Sequence, residues 1–83
     1  MKQLIAIFIL FLSYNAAAQN KVNNLKHGKN QLEHKLYSEA IESFTKAIEA
    51  NDKDYQAYYY RGLTNSYIGE EIQAIDDFTK AIK

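Results

Sequence analysis

The chain of 83 residues has no cysteine and only three glycines, its formal charges cancel, and its longest apolar run stops at nine residues. Each shortage excludes something. Without cysteine there is no disulfide, no thiol chemistry and no acceptor for a lipid anchor of the bacterial lipoprotein kind. Glycines as scattered as Gly28, Gly62 and Gly69 form no phosphate-cradling loop. A net charge of zero, or −1 once Lys2 has left with a leader, gives no general attraction to nucleic acid or to an anionic membrane. Nine apolar residues fall far short of the roughly 20 that cross a bilayer as a helix.

That short run has another reading. Met1-Lys2, then LIAIFILFL from Leu4 to Leu12, then a polar break and the small residues Ala16-Ala17-Ala18, follow the layout of a secretory signal peptide. The expectation is cleavage after Ala18 and export in the bacterial manner, to the periplasm or the medium. A retained leader tethering the chain to a membrane is the alternative.

What the sequence does hold is a repetition. AIESFTKAI from Ala40 to Ile48 returns as AIDDFTKAI from Ala74 to Ile82, 34 residues later, and Gly28 and Gly62 share that offset. A fixed period of this size signals stacked structural units. At about 100° per residue, Ala40, Ile41, Phe44, Ala47 and Ile48 share one helical arc. Glu42 and Lys46 point away, paired at i,i+4, and Asp76 and Lys80 repeat that pair. The pattern predicts four helices, at Lys21 to Lys35, Ser38 to Ala50, Tyr55 to Ile68 and Glu71 to Ile82. Asn51 to Asp54 supplies turn and capping chemistry, and Gly69 a stop. The strand-favouring run Tyr58-Tyr59-Tyr60 lacks alternation and is read as helix. A glycine recurring inside a helix marks a close approach of a neighbour.

These residues resemble the tetratricopeptide repeat family. The marks are Tyr58, Gly62, Gly69, Ala74, Phe78 and Ala81 in the second copy, and Gly28, Tyr37, Ala40, Phe44 and Ala47 in the first. Asn24 stands where the family carries an aromatic, Arg61 where it carries leucine, and Asp52 where it turns with proline. The resemblance implies an all-α fold of tandem antiparallel helix hairpins stacked as a short α-solenoid over residues 19–83, following a signal peptide over residues 1–18. Repeat one would cover about 21–54 and repeat two about 55–83, the second incomplete. It implies further that the first helix of each repeat lines a concave surface for a peptide or protein. By family position that surface comprises Val22, Leu25, Lys29, Leu32 and Glu33, with Gln56, Tyr59, Leu63, Ser66 and Tyr67. Tyr59 and Tyr67 are assigned to recognition, Tyr58 and Tyr60 to packing or plain surface. Leu25 and Lys29 occupy positions where a carboxylate-clamping subset of the family has Lys and Asn, so that specificity is not expected.

No chemistry competes with a binding role. His27 and His34 lie about 10 Å apart along a helix, too far to share a metal at about 2 Å. Glu70-Glu71 and Asp76-Asp77 are adjacent, so their side chains diverge by about 100° on a helix, and acids near a helix start usually answer its dipole. Neither catalytic residues nor a cofactor are expected, and the partner is a protein or peptide, with no nucleic acid and with membrane only if the leader is retained. Two units are fewer than the three or so that such arrays generally need, and Ile75, Phe78 and Ile82 are expected to face solvent on the last helix. A truncated reading frame is the first reading of that exposure, with self-association through the uncapped helix and a marginal monomer as the others.

Overall fold

A computed structural model describes residues 23–83, so the expected signal peptide over residues 1–18, the expected start of the first helix at Lys21, and Val22 lie outside the described residues. Within them the chain is all-helical, with no strand: α1 over residues 23–33, α2 over Tyr37–Ala50, α3 over Tyr55–Tyr67 and α4 over Glu71–Ala81. Tyr58 to Tyr60 are helical, the surrounding pattern having overridden their strand propensity.

Local chemistry explains the breaks. Before α2, Lys35 takes a left-handed φ of 60°, and the Leu36 N–H donates back to the Gln31 carbonyl at 2.8 Å, closing α1 two residues earlier than expected. The same corner recurs one period later. Gly69 has φ 82° and the Glu70 N–H donates to the Asn65 carbonyl at 2.9 Å. Between the hairpins, Asn51 Oδ1 accepts from the Lys53 N–H and Asp54 caps α3 by accepting from the Ala57 N–H, each at 3.2 Å.

Ala40, Phe44 and Ala47 form the buried stripe of α2, and Phe44 is 0% exposed. Its ring lies on Gly28 of α1 so closely that a Cβ there would stand 2.4 Å from it. Gly62 of α3 lies under Phe78 of α4 in the same manner, with a hypothetical Cβ 3.0 Å from that ring. The glycines therefore mark the close approach within each hairpin. Phe78 is half-buried by this contact and by Tyr59, whose ring is 5.9 Å away, and so does not face solvent as expected. The outward pairs Glu42–Lys46 and Asp76–Lys80 close at 3.5 and 3.0 Å; being exposed and screened by solvent, they add little to stability.

α2 packs on α3, and this contact joins the two hairpins. Tyr60 reaches across it to stack on Phe44 with ring centres 5.8 Å apart.

Candidate functional site

An open groove of about 400 Å³ lies where the end of α1, the corner after it, the start of α2 and the outer face of α3 meet. α1 contributes Lys29, Leu32 and Glu33, the corner Lys35, α2 Tyr37, and α3 Tyr60 and Tyr67. The left-handed turn at Lys35 brings Tyr37 round to face Tyr67, and the two rings stack at 5.8 Å, 26° from parallel. Tyr67 remains 60% exposed, an aromatic face held in place by its partner but open to a ligand. Lys29 Nζ stands 5.1 Å from the centre of the Tyr60 ring, which fixes a cation at the groove wall. A neighbouring depression of about 350 Å³ along α1 shares Lys29 and Glu33 and adds Leu25, Lys26 and Asn30.

The charge here is uneven. Lys26, Lys29 and Lys35 are answered only by Glu33, whereas the other acids of the chain all lie beyond residue 38. The groove end is thus basic on a molecule that is acidic elsewhere.

Of the residues expected to bind, Lys29, Leu32, Glu33 and Tyr67 converge on this groove, and Leu25 lines the adjoining depression. Gln56, Tyr59, Leu63 and Ser66 do not line it. Tyr59 turns instead toward Phe78 and meets the edge of Tyr60 at 5.3 Å. Tyr37 and Tyr60, read from the sequence as framework and packing, belong to the groove wall. Tyr60 holds both roles, because one of its faces covers Phe44 while the ring also meets Lys29. His27 and His34 are exposed, and His34 Nδ1 donates to the Asn30 carbonyl at 2.9 Å.

A polar network behind the groove was not foreseen from the sequence. Arg61 of α3 grips Asp77 of α4 with both arms of its guanidinium, Nε to Oδ2 at 2.9 Å and Nη2 to Oδ1 at 2.7 Å. Nη1 donates to Thr45 of α2 at 3.1 Å, and Asn65 donates to Asp77 at 3.2 Å. Asp77 is 2% exposed, and no buried side-chain polar atom among the described residues lacks a partner. The hydrogen bond to Asp77 pushes the Arg61 pKa further above its ordinary value, against the opposing effect of burial. One period earlier, Gln31 and Ser43 occupy the places of Asn65 and Asp77, with the amide 2.6 Å from Ser43 Oγ. Each hairpin is therefore fastened by a polar contact across residues 12 apart. The signal was available, since both columns of the repeat are polar in both copies.

Comparison of the chain with protein-family models, curated proteins and solved structures gave no match.

Proposed function

We propose that this chain is a protein-interaction module of an exported protein with tetratricopeptide-like repeats, holding a short extended peptide or protein segment in the groove between α1 and α3. The observation that carries the reading is the meeting of Lys29, Leu32 and Tyr67, expected as binding residues from the repeat spacing, with Tyr37 and Tyr60 in one open groove. Stacked tyrosines offer contact area and a hydrogen-bonding hydroxyl at low entropic cost, and flanking lysines select against basic partners. The proposal places no catalytic step and no cofactor in the groove.

The test is to titrate the labelled protein with three synthetic peptides, acidic, neutral and basic, each containing an aromatic, and to follow backbone amide shifts by NMR. Shifts confined to Lys29, Tyr37, Tyr60 and Tyr67, strongest with the acidic peptide, are the expected result. Tyr67→Ala should weaken that binding about tenfold, equivalent to ~1.4 kcal/mol, without loss of helicity. Shifts scattered over α4, or none with any peptide, would remove the groove as the site.

A second reading keeps Leu4 to Leu12 as a membrane tether and uses the repeats for self-association. It draws support from the three isoleucines that α4 leaves exposed. The mass of the mature chain separates the two: an N-terminus at Gln19 goes with export and cleavage, a retained Met1 with tethering.

A further inference from the structure

Lys35 stands at a corner that the backbone closes without help from a side chain. Its φ of 60° lies in the left-handed region, and the turn is held by the Leu36 N–H donating to the Gln31 carbonyl. One period later the same corner is built on Gly69, with φ 82°, and a Cβ added there would meet nothing within 4 Å. The corner itself thus needs no side chain, and glycine adopts its conformation at lower energy. The first copy carries a lysine all the same. Residues held in a disfavoured backbone conformation concentrate at sites that bind, and this one lines the groove.

The charges of the groove single out the same residue. Lys29 and Glu33 lie one turn apart on α1 and cancel in net charge, and Lys29 Nζ is held 5.1 Å from the centre of the Tyr60 ring. Lys35 is then the uncompensated cation of the groove. It is exposed, and it enters no ion pair among the described residues. Two residues further on, Tyr37 stacks against Tyr67 and leaves that ring 60% exposed. An available ammonium and an open aromatic face therefore border one groove.

We infer that Lys35 sets the charge specificity of the groove, pairing with a side-chain carboxylate that flanks an aromatic residue of the bound segment while that aromatic packs on Tyr67. This role rests on the peptide-binding reading above, and it adds which lysine reads the partner and what chemistry it reads. A compact ammonium on a flexible stem can follow a carboxylate from a fixed corner, which a glycine cannot do. Because both charges are exposed, the attraction is modest and weakens as salt screens it.

Two end-capped peptides test this, identical except that a central tyrosine is flanked by Glu on both sides in one and by Gln in the other. Capping removes the terminal carboxylate as the source of any effect. Titrated against the full chain and followed by NMR, both should bind at the groove, the Glu peptide about fivefold more tightly. That preference should shrink between ~0.05 and ~0.5 M salt. Lys35→Gly, with an unchanged circular dichroism spectrum, should bring the Glu peptide down to the affinity of the Gln peptide and leave the Gln peptide as it was. Lys35→Arg should keep the preference. Lys53→Gln, which removes the same charge from the exposed turn between the hairpins, should keep it too. Equal affinities in the parent, a preference that survives Lys35→Gly, or one that Lys53→Gln also abolishes would each overturn the role of Lys35 while leaving the groove as the binding site. Failure of both peptides to bind would remove the groove itself, and the role of Lys35 with it.

Discussion

Lys35 and Gly69 occupy the same corner of the two hairpins, and only one of them is chemically suited to it. Both have φ in the left-handed region, at 60° and 82°, where a residue with a Cβ is disfavoured by about 1 kcal/mol. Lys35→Gly should therefore raise stability by about 0.5–1 kcal/mol, visible as a higher midpoint in urea followed by circular dichroism. An unchanged or lower midpoint would show that the Lys35 side chain offsets its backbone cost through contacts in the groove. Gly69 could be read as a helix stop from the sequence because glycine advertises that conformation. Lysine does not, and so the end of α1 was placed two residues late. The tyrosines divide in the same way. Tyr58 was assigned correctly to packing or surface and is buried, but nothing in local sequence tells Tyr60 that its ring will meet both Phe44 and Lys29.

The helices themselves were readable because their apolar positions recur with the helical period, and the ranges of α2, α3 and α4 each differ from expectation by a single residue at one end. The glycine inside each first helix was readable too, as a cost of about 1 kcal/mol that recurs only if something presses on it. What presses differs in rigidity. Phe44 is fully buried, whereas Phe78 is half-buried and free to shift outward. Gly28→Ala should accordingly cost about 2–3 kcal/mol, since the ring has nowhere to go. Gly62→Ala should cost less, about 1–2 kcal/mol, because Phe78 can shift outward although Asp77 Cβ, 3.1 Å from the added methyl and tied to Arg61, cannot. Chemical denaturation of the two variants measures this contrast, and equal losses would show that the second hairpin is packed as tightly as the first.

Arg61 matters at the level of the whole molecule, because it is the side chain through which α2, α3 and α4 share hydrogen bonds. Breaking one side of a buried pair strands the other, so Arg61→Leu or Asp77→Ala alone should cost about 2–3 kcal/mol, moderated by the fifth of the Arg61 side chain that reaches solvent. The double variant should lose less than the sum by about 1–2 kcal/mol, and a strictly additive cycle would deny the pair its coupling. The pH dependence follows from sign. Because the folded state raises the Arg61 pKa, its contribution is complete below the ordinary arginine value and is lost only as strongly alkaline solution climbs through the raised one. The difference in melting temperature between the parent and Arg61→Leu should hence stay constant from roughly pH 6 to 9.

The 34-residue period, the helix faces and the glycine contacts were determined by the sequence alone, because they depend on neighbours three, four or one repeat apart, and the chain states those distances directly. The groove wall and the three-helix grip of Arg61 were decided only by the tertiary structure. Tyr37 meets Tyr67, and Arg61 meets Thr45 and Asp77, at separations that belong to no period. Ile41 and Ile75 are the same residue in the same motif, yet one is half-buried and the other 66% exposed.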